Sequence, residues 1–336
     1  MKRVYVTPRG LLNGPAARAA VDQGRAQPFL GGQAFTTLEE TIVAGGSITH
    51  AIKNHATLPA VAQQRPAFAG LSMDRPRLMG VLNVTPDSFS DGGKFTSVDA
   101  AIAHGVALLE QGADIIDLGG ESTRPGATPV DPDEEGRRVV PVVRALADKG
   151  AKVSIDTRNA KTMGAAIAAG AGIVNDITAL ADPRALEIVA KSTASVILMH
   201  MQGRPGTMQA SPQYVWAPGD VFDFLKERID ACTAKNISLS RLSVDPGFGF
   251  GKTDAHSAAL FDHMALFHGL GCALTIGVSR KSFISRVSRN EGADQRLPGS
   301  LAGALYAAGQ GAQIIRVHDV AETRQALAVW AHVSGA

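Results

Sequence analysis

The chain has 336 residues, of which 45% are apolar and 19% charged, and its formal net charge is +2. This composition is typical of a soluble globular protein, and it excludes the strongly basic class of nucleic-acid-binding proteins. No stretch is long and apolar enough to predict a membrane span. The two cysteines, Cys232 and Cys272, lie too far apart in sequence to suggest a zinc motif or a disulfide framework. We therefore expect a cytoplasmic protein that binds neither nucleic acid nor membranes.

Residues 1–72 contain no motif that points to a particular chemistry. Pro, Gly and Gln interrupt this region, in which Ala34–Ile42 has the composition of a strand. Ile48–Asn54 has the composition of part of a helix. We expect an N-terminal extension of uncertain structure that packs on the rest of the protein or stays partly mobile.

Residues 73–336 alternate between short apolar runs and helical patterns. The runs are rich in β-branched residues and lack polar alternation, as expected of parallel strands that are covered on both sides. Eight runs follow one another: Arg77–Val84, Ala113–Gly119, Lys152–Asp156, Ile173–Ile177, Ser195–Met201, Leu242–Asp245, Leu274–Ser279 and Gln313–Val317.

The segments between these runs include helical patterns such as Val98–Gln111, Asn159–Ala169, Gly219–Lys235 and Gly299–Gly309. Eight β/α units over about 260 residues predict a single (β/α)8 TIM barrel with an N-terminal extension. An open, doubly wound sheet of six or seven strands is the alternative, which the number of runs disfavours.

A polar or charged residue follows every predicted strand. In strand order these residues are Asn83, Glu121–Arg124, Asp156, Asn175 with Asp176, His200, Asp245, Ser279–Ser282, and Arg316 with His318. Active sites of such barrels lie at the carboxyl ends of the strands, so we expect these side chains to surround one site.

The residues at the strand ends fall into two chemical groups. Arg124, Lys281, Arg316 and His318 are donors that suit an anion such as a phosphate or diphosphate. The other group consists of acceptors that would bind the N–H groups of a flat heterocycle: Asp156, Asn175 and Asp245. No metal-chelating spacing is present, so we expect any divalent cation to arrive with the diphosphate.

Some of these residues have a simpler, structural interpretation. An Asp after a strand is more often a helix cap or turn residue than a ligand, and we assign structural roles to Asp176, Arg158 and Arg280. His200 fits a structural role and a functional role equally well. The segment Gly247–Thr253 ends like a phosphate-binding P-loop, but Pro246 occupies the position of the first required glycine. A glycine-rich lid after the sixth strand explains this segment better.

Together these segments resemble the dihydropteroate synthases of bacterial folate biosynthesis. The resemblance extends from about Leu78 to the C-terminus, and the motifs occur in the order of that family. They are MGVLNVTPDSFSDGG, IIDLGGESTRPG, VSIDT, IVNDI, LMHMQG, DPGFGFGK, SRKSF and IRVHDV.

The resemblance implies a transferase that joins p-aminobenzoate to 6-hydroxymethyl-7,8-dihydropterin diphosphate, with Mg²⁺, and releases pyrophosphate. By the same resemblance, the pterin would be bound by Asp156, Asn175, Asp245 and Lys281. Asn83, Arg316 and His318 would bind the diphosphate, with Asn83 also a metal ligand. Asp156, Lys281 and Arg316 would act in catalysis.

The resemblance also implies two loops, Val84–Gly93 and Ser122–Gly126, that close over the reacting groups. The aminobenzoate pocket would be formed by Phe89, Thr123, Arg124, Pro125, Phe250 and Ser282. We expect the diphosphate to leave before the aminobenzoate nitrogen attacks, in an SN1-like reaction. The family also leads us to expect a homodimer.

Three other functions remain open at this stage. A folate-dependent methyltransferase domain would share the acceptor residues but would not need the cations Lys281, Arg316 and His318. A non-catalytic pterin-binding paralogue would keep the pocket without turnover. A phosphosugar enzyme would use Lys281 as a Schiff-base nucleophile.

Overall fold

The computed structural model describes residues 2–55, 65–84, 94–121 and 130–335, with the backbone alone for residues 94–97. An antiparallel sheet precedes the barrel. It contains β1 (Arg3–Leu12), β2 (Gln27–Pro28), β3 (Ala34–Ala44) and β4 (Ser47–Asn54), with α1 (Gly14–Asp22) between β1 and β2. The central strand, β3, pairs with each of the other three.

The predicted strand over Ala34–Ile42 is confirmed, but the predicted helical segment over Ile48–Asn54 is wrong, because these residues form β4. Gly45 and Gly46 have φ angles of 56° and 83°. Two consecutive residues with positive φ form the tight hairpin turn that matches strand twist, so the chain returns as a strand. The Gly-Gly pair in the sequence therefore indicates a β-hairpin.

The sheet packs directly on the barrel. Arg3 donates to Asp220 at 2.7 Å and to Asp223 at 2.9 Å, and the Tyr5 hydroxyl donates to Asp223 at 2.7 Å. The Gln33 amide donates to the carbonyl of Gly309 at 2.9 Å. Polar contacts at several separate points fix the position of the sheet on the helices around the barrel.

Residues from Arg77 onward form a closed barrel of eight parallel strands in chain order, with the last strand paired to the first. This confirms the predicted TIM barrel. The strands are β5 (Arg77–Asn83), β6 (Ile115–Gly119), β7 (Val153–Asp156), β8 (Ile173–Asp176), β9 (Ser195–Met199), β10 (Leu242–Asp245), β11 (Ala273–Ile276) and β12 (Ile314–Val317).

The helices cover the outside of the barrel. They are α2 (Lys94–Glu110), α3 (Pro132–Asp148), α4 (Ala160–Ala168), α5 (Pro183–Ala190), α6 (Ala217–Thr233), α7 (Asp254–Asp262), α8 (Ser282–Val287), α9 (Leu297–Gly309) and α10 (Val320–Ser334). Several begin at the side-chain caps that their sequences favour, such as Asp131, Asp182 and Thr253. Among the residues with assigned structure, no helix has the length and hydropathy to span a membrane.

Apolar side chains fill the barrel at the amino ends of its strands. This cluster consists of Phe68, Met73, Met79, Ile115, Ile173, Ile197, Ala273 and Ile314. Phe68 and Met73 come from the segment before the first barrel strand and help to fill this end. The interior is therefore open to ligands at the carboxyl ends of the strands.

The N-terminal sheet has a small apolar core of its own, which predicts how it responds to mutation. Phe35 is fully buried and packs with Phe29, Leu30 and Leu38. Replacing Phe35 with Ala should destabilise the sheet by about 3–5 kcal/mol, because it removes an aromatic ring from a packed site. Hydrogen exchange of the β1 and β3 amides, together with urea denaturation, measures this loss.

The matched control is Val4→Ala in β1, since Val4 is 49% exposed. This variant should change stability by no more than about 0.5 kcal/mol. Equal amide exchange in Phe35→Ala and in the wild type would contradict the account of this core.

Candidate active site at the carboxyl ends of the barrel strands

The interior of the barrel changes from apolar to charged within two residues. Side chains two positions apart in a strand face the same way, so the residues that follow the apolar layer also point inward. Beyond Ile115, Ile173 and Ile314 these are Asp117, Asn175 and Arg316. Asp117 is not among the predicted site residues, because the polar residues predicted for this strand come from the loop after it.

Arg316 forms the centre of a buried polar network. Its Nε donates to Asp117 Oδ2 at 2.6 Å, and its Nη2 donates to Asp156 Oδ2 at 2.8 Å. The side-chain amide of Asn175 donates to the same Asp117 oxygen at 3.0 Å. The structure thus brings together three of the predicted site residues with one that was not predicted.

Two carboxylate oxygens in this network have unused hydrogen-bonding capacity. Asp117 Oδ1 and Asp156 Oδ1 are buried and have no hydrogen-bond partner within the described part of the protein. Buried polar atoms are rarely left in this state, because desolvation without a partner costs about 1–3 kcal/mol. Both oxygens are therefore available to accept N–H groups from a ligand.

Burial and neighbouring charges alter the protonation of these groups. Burial raises the pKa of Asp156 to about 7, against the opposing effect of Arg316 and with the support of the Asp117 carboxylate. Burial alone would lower the pKa of Arg316, but the carboxylates of Asp117 and Asp156 raise it above its ordinary value. Arg316 thus remains a cation, whereas Asp156 can change its charge near neutral pH.

Asp245, at the end of β10, and Lys281, in the segment after β11, also lie at the carboxyl ends of the strands, which form the mouth of the barrel. Asp245 Oδ1 accepts from the backbone N–H of Gly247 at 2.7 Å, and burial raises the pKa of Asp245. Burial also lowers the pKa of Lys281 to about 8, partly offset by Asp245. The Lys281 ammonium lies 4.1 Å from the centre of the Phe250 ring, within the range of a cation–π interaction.

Arg280 fixes the backbone just before Lys281. Its φ of 56° lies in the left-handed region, which an arginine rarely adopts without support. The backbone N–H of Arg280 donates to Ser300 Oγ at 2.8 Å, its carbonyl accepts from Arg296 at 3.0 Å, and its guanidinium pairs with Asp319. The structural role predicted for Arg280 is confirmed.

The glycine-rich segment after β10 packs closely on the end of β9. Gly247 has a φ of 68°, and a side chain there would come within 1.9 Å of the His200 carbonyl. The buried Lys252 ammonium donates to the carbonyl of Phe250 at 3.0 Å and lies 2.8 Å from His200 Nδ1. Burial lowers the pKa of His200 to about 2, so its neutral ring accepts this hydrogen bond. His200 therefore has a structural role.

His318 and Asn83 are two further polar residues at the carboxyl ends of the strands. His318 Nδ1 lies 3.1 Å from Ser279 Oγ, and burial next to Arg316 lowers the pKa of His318 to about 3. Its ring is therefore neutral at physiological pH. Asn83 ends β5 and Asp156 ends β7, and both pair with Gly119 of the strand between them.

The remaining predicted residues are less directly connected to this network. The Ser282 hydroxyl accepts from Arg286 at 2.9 Å, and no hydrogen bond in the described chain joins it to the residues above. Phe89, Thr123, Arg124 and Pro125 lie outside the described residues. Their predicted roles therefore stay predictions.

The structure confirms the structural roles predicted for Asp176 and Arg158. Asp176 accepts from the backbone N–H groups of Thr178 and Leu180, at 2.7 and 2.9 Å. Arg158 donates to both oxygens of Glu121, at 2.9 and 3.1 Å. Both side chains make contacts within the protein, as a structural role requires.

Few of the described side chains at the mouth of the barrel could bind a metal ion. The described residues offer no group of three His, Cys, Asp or Glu ligands at the strand ends. The exposed Asn83 amide oxygen is a donor of the kind that Mg²⁺ accepts. A magnesium ion there would need most of its oxygen ligands from a bound diphosphate and from water.

Comparison with known proteins agrees with this geometry. Residues 79–318 match the protein family described as pterin binding enzyme. The dihydropteroate synthase of Neisseria meningitidis serogroup B is 47% identical over 266 residues, which cover 77% of this chain and 93% of that protein. The family match begins inside β5, so the N-terminal sheet lies outside it.

Two solved structures are also similar. The dihydropteroate synthase from Xanthomonas albilineans with 4-aminobenzoic acid is 48% identical, with a TM-score of 0.75, over 80% of this chain and 97% of that one. The Yersinia pestis enzyme with a sulfonamide drug complex is 47% identical, also with a TM-score of 0.75, over 79% and 97% of the two chains.

The raised pKa of Asp156 predicts a pH-dependent effect on stability. A carboxyl group with a higher pKa when folded stabilises the fold at low pH, and this contribution is lost as the pH rises from about 4 to 7. Asp156→Asn removes the titration. The difference in Tm, variant minus wild type, should therefore be more positive at pH 8 than at pH 5.

Thermal denaturation at the two pH values measures this difference. The control is Asp148→Asn at the exposed end of α3, measured at the same two pH values. A difference that stays constant or becomes more negative for Asp156→Asn would show that burial does not hold this group in its protonated form.

Proposed function

The chain belongs to the family of pterin-binding enzymes, and on that premise we propose that it catalyses the reaction of a dihydropteroate synthase. In this reaction p-aminobenzoate replaces the diphosphate of 6-hydroxymethyl-7,8-dihydropterin diphosphate, which gives 7,8-dihydropteroate and pyrophosphate. The enzyme is a transferase of the pterinylmethyl group.

The observation that carries this proposal is the pair of unsatisfied oxygens on Asp117 and Asp156. They lie beside the amide of Asn175, whose nitrogen is already used by Asp117 and whose oxygen remains an acceptor. A flat heterocycle with several N–H groups on one edge satisfies such a set. A ligand without those groups would leave the acceptors buried and unpaired, which makes the pocket selective.

Asp245 and Lys281 extend the pterin site on its other side. Lys281 can donate to a ring nitrogen or carbonyl of the ligand. Burial lowers the pKa of Lys281, so less free energy is needed to hold it in its neutral form in the pocket. Asp245 accepts one backbone N–H and keeps its second oxygen for the ligand. Lys281, Asp156 and Arg316 are the residues that we assign to catalysis.

The diphosphate would lie beside Arg316, His318 and Asn83. Arg316 keeps its positive charge in the pocket, and the neutral His318 can donate one N–H to a phosphate oxygen. Bound Mg²⁺, with Asn83 as a protein ligand, would neutralise part of the charge of the leaving group. We propose Mg²⁺ as the metal for this reason.

The chemistry follows from the charges around the methylene carbon. The bond between this carbon and the diphosphate oxygen breaks first, and its electron pair leaves with the diphosphate beside Arg316. Asp156, in its anionic form, stabilises the pterinylmethyl cation. The neutral amine of aminobenzoate then attacks the carbon. The resulting anilinium is acidic enough to release its proton to water, so no strong general base is required. The reaction is SN1-like.

The aminobenzoate would bind at the outer part of the mouth. Phe250 offers a ring face next to Lys281, and Ser282 lies at the first residue of α8. Phe89, Thr123, Arg124 and Pro125, which are outside the described residues, would form the rest of this pocket.

We also propose that two copies of the chain form a homodimer in the cytoplasm. Two large apolar side chains one turn apart on α10, Val329 and Val333, are exposed by 59% and 75%. Such side chains on one helix face favour contact with a second copy. Cys232 and Cys272 are buried and unpaired, as expected in a reducing compartment.

A turnover assay tests the proposed reaction. The wild type should form one dihydropteroate and one pyrophosphate per pterin diphosphate when p-aminobenzoate and Mg²⁺ are present. Asp117→Asn should lower kcat/KM by about 10- to 100-fold, because it weakens hydrogen bonds of a charged acceptor to Arg316 and to the pterin.

The matched control is Glu187→Gln, an exposed carboxylate of α5 that pairs with Lys191 at 2.8 Å. Its effect on kcat/KM should be less than about twofold, because surface substitutions of this kind rarely change the fold. Full activity in Asp117→Asn, or absence of dihydropteroate with the wild type, would contradict the proposal.

A second kinetic experiment separates the two substrates. Phe250→Ala should raise the KM for p-aminobenzoate by about 3- to 10-fold, because an aromatic contact is lost, while the KM for pterin diphosphate stays nearly unchanged. Gln209→Ala is the control for a change in the loop itself, because Gln209 donates to the Gly249 carbonyl of the same loop. This variant should leave the KM for p-aminobenzoate nearly unchanged. A rise confined to the pterin diphosphate KM would place Phe250 in the pterin site instead.

A further inference from the structure

A second cluster of ionisable side chains lies where the N-terminal sheet meets the barrel. Glu39 comes from β3, His50 from β4, and His263 from the residue after α7. One ligand atom from each lies within 4.8 Å of the other two. In a barrel the helices return from the strand mouths, so the end of α7 is remote from the active site.

The three ligand atoms converge on one point. Glu39 Oε1 lies 2.6 Å from His50 Nδ1 and 3.4 Å from His263 Nε2. Bonds of about 2.0–2.2 Å to zinc in a tetrahedral arrangement separate ligand atoms by about 3.3 Å. The pair with His263 already has this spacing. The half-exposed His50 ring would have to move away from Glu39 by less than 1 Å.

The orientation of His263 favours a cation at this point. Its Nδ1 lies 3.1 Å from the carbonyl of Ala259, which can only accept, so Nδ1 carries the proton. In the neutral ring, Nε2 then presents a lone pair toward Glu39 Oε1, which also lies 2.6 Å from His50 Nδ1. A metal ion at this point would bind all three atoms once the proton of the His50 ring lies on its Nε2. Donation of the other ring N–H to a carbonyl, as in His263, is the usual support of a metal-bound histidine.

The charges around the cluster also fit a divalent cation. Arg9 donates to Glu39 Oε2 at 2.6 Å and to Asp262 Oδ2 at 2.8 Å. One arginine thus lies between two carboxylates, so these three side chains carry a net charge of about −1. The hydrogen bond from Arg9 favours the charged form of the Glu39 carboxylate, so Glu39 Oε1 is an anionic ligand.

We propose that Glu39, His50 and His263 form a binding site for one Zn²⁺ ion that joins the N-terminal sheet to the barrel. Two imidazoles and one carboxylate are ligands that zinc prefers, and water can take the fourth position. His50 is 44% exposed, which gives the ion access from solvent. The site is separate from the proposed Mg²⁺ site, because it uses other residues at another part of the molecule.

Trp216 provides a built-in reporter for this site. Its ring centre lies 5.0 Å from that of His263 and 6.1 Å from that of His50. The second tryptophan, Trp330, belongs to α10. A Trp330→Phe background therefore assigns any change of tryptophan fluorescence to the surroundings of the cluster.

The experiment uses full-length, tag-free protein that has been dialysed against EDTA. Calorimetric titration with Zn²⁺ should give one tightly bound ion per chain, and Zn²⁺ should raise the Tm. Cu²⁺ should quench Trp216 in the Trp330→Phe background. His50→Ala and His263→Gln should each weaken zinc binding by about 10-fold or more and abolish the Tm increase.

The control is His332→Ala at the exposed end of α10, which should bind zinc like the wild type. Circular dichroism and dihydropteroate formation verify that each variant is folded. If the wild type binds no stoichiometric zinc, or if both ligand variants bind it as tightly, the proposal is overturned. In that case the cluster is a hydrogen-bonded ion network in which His263 is doubly protonated.

Discussion

The arrangement that defines this site is the sharing of one guanidinium, that of Arg316, by two carboxylates inside a closed barrel. Arg316 holds Asp117 and Asp156 by one oxygen each, and the second oxygen of each remains buried without a partner in the described structure. Such a network costs desolvation energy that a barrel filled with apolar side chains would not incur. That cost is explained if a ligand, here the proposed pterin, completes the hydrogen bonds.

The rest of the fold supports this arrangement at one end of the barrel. Phe68 and the apolar layer close the amino end, so the charged layer faces the opening at the other end. The left-handed backbone at Arg280 sets the position of Lys281, and Lys252 holds the glycine-rich segment against β9. The residues proposed to bind the substrate therefore lie on strands and on loops that are fixed by further contacts, as in preorganised sites.

Much of this could be predicted from sequence, and the errors have physical causes. The eight strands were predictable because buried parallel strands are continuous apolar runs, and the strand-end residues follow from them. Asp117 was missed because it lies within such a run, although its spacing of two from Ile115 indicates an inward side chain. The hairpin of β3 and β4 was misjudged because the composition of the second strand was weighed above its Gly-Gly turn. The pairing of Arg316 with two acids depends on the closure of the barrel, which no local pattern contains.

Equilibrium binding in the absence of aminobenzoate tests the central claim most directly. Pterin diphosphate and inorganic pyrophosphate would be titrated by calorimetry into the wild type and into the double variant Asp117→Asn, Asp156→Asn. If the carboxylates bind the heterocycle, the variant loses about 100-fold or more in affinity for pterin diphosphate, while pyrophosphate binds within a few-fold of the wild type. Unchanged affinity for pterin diphosphate, or an equal loss for both ligands, would contradict the account.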